Sequence, residues 1–270
     1  MAGQTPNFKL VKPAPEQFYD VAVPNGNMDK IDAALKELQE NDDLTQIEQD
    51  LSELETKVTT HLDEINPHSE TKSRTINVGN TREFKTIQSA INSLKKNLGG
   101  KVVRIYVDAG TYPEPVTVEG FQFGTLELSS NSGINTEVKI QSVTVRDCEA
   151  VIRVYSLSTN FTGLSNFGLT ISTSRFVQVT NLITGAYTPV TGSTGISVFH
   201  ANVMINGCTI SAYDVAIYVA ANSIVYVAGL GGSNNRTGLS CYGGSTIGKD
   251  GNMPGATVTA ETTWAGGVIR

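Results

Sequence analysis

Apolar positions recur with a helical period between residues 27 and 66. Asn27 can cap a first helix, and Asn41-Asp42-Asp43 separates its apolar stripe from a second one with a seven-residue repeat. The stripes comprise Met28, Ile31, Leu35 and Leu38, then Leu44, Ile47, Leu51, Leu54, Val58, His61 and Ile65. Because so narrow a stripe needs a partner, we predict a self-associating coiled-coil stalk over 27–66. Two helices of one chain folded back on each other are the alternative.

Residues 1–26, which precede the helices, are punctuated by prolines. Pro6, Pro13, Pro15 and Pro24 argue against a continuous helix, and the apolar groups between them are too short to form a core. We predict an extended leader that docks onto another protein, with a terminus that has no partner as the alternative. The candidate contact residues are Phe8, Leu10, Pro13, Tyr19, Asp20, Val21 and Val23.

The pattern changes again after Pro67, which ends the helical period. The polar residues 67–74 are typical of a linker. A short strand at 75–78 and an amphipathic helix over 84–98, closed by Gly99 and Gly100, follow. From Lys101 onward the apolar residues alternate with a period of two, which indicates strands.

The strands of this last segment resemble one another. A Val-x-Val or Val-x-Ile pattern begins at intervals of 27, 34, 26 and 22 residues, at Val116, Val143, Val177, Val203 and Val225. Near the end, two columns of like residues recur every 21 or 22 positions: Ile196/Ile217/Leu239 and Val198/Val219/Cys241. Repeated strands with a corner between them favour stacked rungs, so we predict a mainly β fold, a parallel β-helix over 75–270 with a cap at 252–270. A β-sandwich is the alternative.

Composition and charge exclude several classes of function. The 270 residues are 17% charged with a net charge of −6, and no cluster of Lys and Arg suits a nucleic acid. No apolar run is long enough to span a membrane. Cys148, Cys208 and Cys241 fall within apolar patterns, so we predict buried free thiols, with no metal site and no cofactor.

Acidic residues are scarce in the later strands. Between Ala150 and Ala260 only Asp214 and Asp250 are acidic, whereas hydrolysis of a polysaccharide normally uses a carboxylate pair. We interpret the earlier charged residues as turn formers, solvated charges or interfacial charges: Asp108, Glu114, Arg146, Asp147, Glu149 and Arg153. We therefore predict no catalytic residue and no enzyme, with a site formed between subunits as the alternative.

Several aromatic residues follow inward positions and are predicted to point outward. They are Tyr155, Phe199, Tyr218, Tyr226 and Tyr242. They are candidates for stacking on sugars or for contacts between subunits. Trp264 is a candidate for the same receptor-binding surface or for covering the last rung.

Two stretches resemble known families. Glu-Phe-Lys-Thr-Ile-Gln-Ser-Ala-Ile at 83–91, followed by Val-Asp-Ala-Gly-Thr-Tyr at 107–112, resembles the start of pectin-lyase-like right-handed β-helices. The leader resembles the N-terminal attachment region of tail-fibre and baseplate appendage proteins from phages of Gram-positive bacteria and their prophage relatives. That resemblance rests on Leu10, Pro13, Tyr19, Asp20, Val21, Val23, Asn25, Asn27, Ile31 and Asp32.

The order of leader, seven-residue repeats and β-body is the same as in that family, and the resemblance implies a homotrimeric virion fibre or spike. By this resemblance the protein is made in the bacterial cytoplasm, attaches to a virion or baseplate protein by its N-terminus, and binds a glycan of the host cell surface, such as a wall polysaccharide. A tail-associated depolymerase with a site between subunits and a purely structural tail or head fibre are the alternatives.

Overall fold

The structure is a computed structural model, and it describes residues 3–4, 11–12, 22–39, 42–63, 69–160, 166–185 and 190–270. Its internal contacts divide the chain into two units, Met1–Pro67 and His68–Arg270. The second unit contains all of the buried apolar core that the structure describes.

The first unit contains two short strands and two helices. Strands β1 (Gly3–Gln4) and β2 (Val11–Lys12) pair antiparallel, and helices α1 (Ala22–Gln39) and α2 (Asp42–Asp63) follow. Helix α1 begins at Ala22, before the predicted boundary at Asn27; Pro24 lies in the first helical turn, where its missing N–H costs no hydrogen bond. The side chains of the predicted leader contacts lie outside the described residues: Phe8, Leu10, Pro13, Tyr19, Asp20, Val21 and Val23.

The apolar stripes of the two helices are exposed within a single chain. The exposed fraction runs from 38% at Ile31 to 65% at Met28, and the other members are Leu35, Leu38, Ile47, Leu51, Leu54 and Val58. His61 is also exposed, whereas the side chains of Leu44 and Ile65 lie outside the described residues. Within the described residues, the two helices do not bury these stripes against each other.

The second unit is a parallel β-solenoid of about seven turns, as predicted. Its elements, in chain order, are β3 (Arg74–Val78), α3 (Ile87–Asn92), β4 (Asn97–Val107), β5 (Gly110–Glu119), β6 (Gln122–Ser130), β7 (Val138–Arg146), β8 (Val151–Tyr155), β9 (Ser158–Thr159), β10 (Phe167–Ser172), β11 (Phe176–Thr180), β12 (Ile183–Gly185), β13 (Thr194–Phe199), β14 (Asn202–Asn206), β15 (Thr209–Ser211), β16 (Val215–Ala220), β17 (Ile224–Ala228), β18 (Asn235–Tyr242), β19 (Thr246–Asp250), β20 (Ala256–Trp264) and β21 (Val268–Ile269).

Each turn of the solenoid visits three faces. Face 1 is the sheet β3-β4-β6-β8-β11-β14-β17-β19-β21. The other sheet bends along β5 and β7, because the first half of β7 pairs with β9 and its second half pairs with β10. Face 2 therefore holds the first halves of β5 and β7 with β9, β12 and β15, and face 3 holds their second halves with β10, β13, β16, β18 and β20.

Both predicted ladders are confirmed on face 3. Ile196 pairs with Ile217 and Ile217 with Leu239, while Val198 pairs with Val219 and Val219 with Cys241. All six side chains are buried. Parallel pairing between successive rungs throughout this unit excludes the β-sandwich alternative.

The repeat predicted from the sequence nevertheless joined strands of different faces. Val116 and Val143 lie on face 3, whereas Val177 and the later repeat starts lie on face 1. The partner of Val143 one turn later is Leu169. Both faces carry the same inward alternation followed by a corner, so alternation alone cannot identify the face.

Left-handed residues stack at the corners. Asp147 (φ 55°) lies between faces 3 and 1 and is a turn former, as predicted. Its neighbours in the stack are Gly120 and Thr173, however, and not Asn181 and Gly207, which occupy the corner between faces 1 and 2. The left-handed conformation favours Gly, Asn and Asp, which accounts for Gly120 and Asp147 at the first corner and for Asn181 and Gly207 at the second.

Helix α3 covers the first rungs. Ile87, Ala90 and Ile91 are completely buried, and the side chain of Thr86 caps the helix by accepting a hydrogen bond from the Ser89 amide. The helix is much shorter than the predicted range 84–98. Gly99 has a positive φ inside a bulge at the start of β4, where an added Cβ would lie 2.7 Å from the Glu70 carbonyl oxygen, so this glycine serves the strand and not a helix cap.

Charged residues close the other end of the apolar interior. Lys249 is in register with buried Val227, and Glu261 with buried Leu239. Their side chains form an ion pair with each other, each about one-third exposed (35%). Trp264 is 70% exposed, so it does not cover the last rung.

A buried polar network joins rungs at the corner between faces 2 and 3. The Tyr213 hydroxyl lies 2.6 Å from Thr184 Oγ1 and accepts a hydrogen bond from Asn160 Nδ2 at 2.8 Å. The Tyr213 amide donates to Asn235 Oδ1, whose amide nitrogen donates to two backbone carbonyls. Burial raises the pKa of the Tyr213 hydroxyl, which keeps it protonated and able to donate.

All three cysteines are free and buried, as predicted. Burial raises the pKa of the Cys208 thiol to about 12, and it also raises the pKa of Cys148 and Cys241. Because the thiolate is the reactive form, these groups serve as small core residues.

The Tyr213 network yields a stability prediction. Replacing Tyr213 with Phe removes the buried hydroxyl that bonds Asn160 Nδ2 and Thr184 Oγ1, so we expect the free energy of unfolding to fall by about 1–3 kcal/mol. Urea denaturation of the full chain measures this change. Tyr226→Phe is the matched control, because that hydroxyl is on the surface and its loss should cost under about 0.5 kcal/mol. Equal stability of the two variants would contradict the prediction.

Candidate functional site

Four of the six aromatic candidates lie on the outer surface of face 3. Tyr242 pairs in register with Trp264, and Phe199 occupies the same column two rungs earlier, with Ala220 between. Tyr218 lies in the adjacent column, with its ring centroid 5.7 Å from that of Phe199 and the planes tilted by 51°. We call Phe199, Tyr218, Tyr242 and Trp264 the aromatic ladder.

Exposure increases along the aromatic ladder toward the end of the solenoid. Phe199 and Tyr218 are half-buried, Tyr242 is 43% exposed and Trp264 is 70% exposed. Strand alternation explains this arrangement, because the residues next to Tyr242 and Phe199, namely Cys241 and Val198, point into the core. The ladder therefore presents ring surface to solvent on a rigid sheet.

The other two candidates, Tyr155 and Tyr226, lie on a different surface, the outside of face 1. The Tyr155 hydroxyl donates to Gln178 Oε1 at 2.9 Å, and the Tyr226 hydroxyl donates to Asp250 Oδ2 at 3.4 Å. Around them the structure exposes apolar residues that the sequence analysis missed: Phe176, Met204, Ile224 and Val268. These residues alternate with inward ladder residues, so a correct assignment of strands to face 1 would have identified them.

A cleft of about 450 Å³ lies at the corner between faces 3 and 1. We call it the corner cleft; its lining residues are Thr173, Ser174, Arg175, His200, Ala201, Asn202, Ala221 and Asn222. It adjoins the aromatic ladder, because Phe199 is the residue before His200. This cleft was not predictable from the sequence, since its residues come from three successive turns.

The early charged residues do not form one site. Arg146 pairs with Glu119 at 2.8 Å, and Arg153 shares Glu127 with Arg104. Asp147 accepts a hydrogen bond from Thr173, and Glu149 lies exposed at the same corner. These residues are distributed over two faces and a corner, and each has its own local contacts. This distribution agrees with their interpretation as turn formers and surface charges.

Asp108 and Glu114 have structural contacts near the first rungs. Arg82 donates a hydrogen bond to Asp108 at 2.7 Å, and this contact lowers the pKa of that carboxyl group. Glu114 accepts hydrogen bonds from the Ile87 and Gln88 amides at the start of α3. A second cleft, of about 480 Å³, lies nearby, but its two arginines, Arg74 and Arg82, are already paired with carboxylates.

Neither a metal cluster nor a membrane-spanning helix is found within the described residues. No group of three or more His, Cys, Asp or Glu side chains there could hold a metal ion. None of the described helices is long and apolar enough to cross a bilayer.

Comparison with known proteins adds no family assignment. A scan against models of protein families finds no match to this chain, and neither does a search of the curated proteins. The candidate site is therefore defined by geometry alone, as the aromatic ladder with the corner cleft beside it.

Proposed function

We propose that this protein is a subunit of a virion tail fibre or spike that binds a polysaccharide of the host cell surface. The observation that carries the binding part of this proposal is the aromatic ladder beside the corner cleft. Its N-terminal segment attaches to another virion protein, and three copies assemble through the helices. The right-handed winding typical of pectin-lyase-like β-helices belongs to the same proposal.

The chemistry of the candidate site suits a sugar chain. Pyranose rings present apolar C–H faces that stack on aromatic rings, and Tyr242 and Trp264 expose such rings on successive rungs. Hydroxyl groups at the ring edges need hydrogen-bond partners, which Asn202 and Asn222 supply in the corner cleft. The parallel sheet holds these groups in place before binding, so little conformational entropy is lost.

The helices support self-association. Eight large apolar side chains of α1 and α2 are at least 38% exposed in the single chain. Burying a Leu or Ile side chain stabilises a protein by about 1.5–3 kcal/mol, so a stripe of this length favours contact with further copies. The heptad spacing from Leu44 to Ile65 favours a coiled coil as the form of that contact.

Assembly would strengthen attachment. Three weak sites held in one fibre bind a repetitive polymer together, and many fibres on one particle add further valency. Exposed aromatic rings such as that of Trp264 are therefore sufficient for stable attachment to the polymer, without a deep pocket in any single chain.

Removal of ring surface tests the binding surface. We expect Tyr242→Ala and Trp264→Ala each to weaken retention of purified host-wall polysaccharide by roughly fivefold, because a stacking contact contributes about 1 kcal/mol. Affinity chromatography of the full chain on immobilised polysaccharide measures this effect. Tyr226→Ala on face 1 is the matched control and should bind like the unaltered protein.

Two results would contradict the binding proposal. If the polysaccharide is not retained, or if the face 3 variants bind as well as the control, the aromatic ladder is not the binding surface. The molar mass of the polymer is followed in the same samples, and a decrease would instead identify a depolymerase.

The helical stripes predict the state of assembly. We expect light scattering of the full chain to give three times the chain mass of 28.8 kDa. Leu51 and Val58 occupy the same position of successive seven-residue repeats, within the apolar stripe. Leu51→Asp combined with Val58→Asp places two charges in that stripe and should dissociate the assembly. The matched control is Ser52→Asp with Thr59→Asp. It adds the same charge to the residues that follow Leu51 and Val58, outside the apolar stripe, and should leave the assembly intact. A monomeric full chain, or two variants of equal mass, would exclude the stalk.

A further inference from the structure

We propose that the corner cleft binds an anionic group, a phosphate or a carboxylate, on the polysaccharide, with Arg175 and His200 as its cationic and hydrogen-bonding contacts. This inference rests on the proposed function, because it names the class of glycan that the site beside the aromatic ladder recognises.

Arg175 differs from most of the eight arginines that the structure describes, and shares with Arg270 the lack of an ion pair with a described carboxylate. Six of them form ion pairs with carboxylates at distances up to 2.9 Å: Arg74, Arg82, Arg104, Arg146, Arg153 and Arg236. Within the described part of the chain, Arg175 forms no ion pair, and its side chain is exposed in the cleft. A guanidinium presents donors in a fork that matches phosphate and carboxylate oxygens, so Arg175 is available for such a group.

His200 adds a second group that can donate to an anion. It lies at a left-handed corner position (φ 48°), which Gly120 and Gly243 occupy in other turns. The backbone conformation therefore does not require a large side chain there, yet the imidazole is exposed on the cleft wall. His200 and Arg175 both line the corner cleft, on adjacent turns.

The lining of the corner cleft contains no acidic residue. The nearest carboxylates belong to the preceding turn: Asp147 accepts a hydrogen bond from Thr173 Oγ1 at 2.5 Å, and Glu149 lies at the same corner. These acids adjoin the turn that carries Thr173 and Arg175, and no carboxylate lines the two later turns, so an anionic group bound by Arg175 and His200 is favoured on the side of Asn222.

The size and position of the cleft fit a substituent on a longer chain. Its volume of about 450 Å³ lies within the range of about 300–1,000 Å³ that small-molecule sites occupy. Phe199 of the aromatic ladder directly precedes His200, so the corner cleft lies next to one end of the ladder. In this arrangement the aromatic ladder binds the faces of the sugar rings, and the corner cleft binds the anionic group that the sugar carries.

Three polymers of defined chemistry test this inference on the full chain. They are poly(glycerol phosphate), polygalacturonate and neutral dextran, each titrated calorimetrically at low salt. We expect one or both anionic polymers to bind at least tenfold more tightly than dextran, and the comparison between them distinguishes phosphate from carboxylate. Arg175→Gln and His200→Asn should each weaken that binding by about tenfold, the loss expected for a hydrogen bond to a charged group.

The matched control is Lys139→Gln, which removes one positive charge from an exposed position on face 2. It should leave binding unchanged; an equal loss in this variant would mean non-specific attraction and would overturn the inference. Equal binding of dextran and both anionic polymers, or full binding by Arg175→Gln, would overturn it as well. In those cases the proposed function still stands if wall polysaccharide is retained in a Trp264-dependent way. If wall polysaccharide is not retained either, both proposals fail.

Discussion

The parallel register of the inward side chains is the constraint on which the rest of the structure depends. No single turn of the solenoid has a core of its own, so each gains stability only by stacking its apolar residues on those of its neighbours. Val143, Leu169 and Ile196 form one such column on face 3. A stack of this kind must be closed at both ends, and helix α3 closes the first end while the ion pair between Lys249 and Glu261 closes the other.

The same register creates the candidate site. Stacking converts residues about 22 positions apart in sequence into neighbours on the outer surface, as it does for Tyr242 and Trp264. It also brings three corners together to form the cleft that contains Arg175 and His200. The candidate surface is therefore a consequence of stacking. It follows from which residue types occupy the outward positions of consecutive turns.

The β-solenoid and its late ladders were predictable from the sequence, because Ile196, Ile217 and Leu239 recur with the same alternation and corner. The face of each strand was not, since Val143 and Val177 have the same local pattern on different faces. The ion pair at the second end of the solenoid was not predictable either. Without the strand register, Lys249 and Glu261 have the sequence pattern of ordinary surface charges. The aromatic candidates were predicted individually, but their separation into two surfaces and the corner cleft required the three-dimensional register.

Disulfide cross-linking between adjacent rungs tests this register most directly. Met204 and Tyr226 are exposed partners on face 1, and parallel strands lie about 4.8 Å apart, within the range that a disulfide spans. The double variant Met204→Cys/Tyr226→Cys should oxidise to an intramolecular disulfide that mass spectrometry detects, with the native cysteines buried and unreactive. Asn202→Cys/Tyr226→Cys, shifted by two residues, should not. A disulfide in the shifted pair, or none in the matched pair, would contradict the stacked register and everything derived from it.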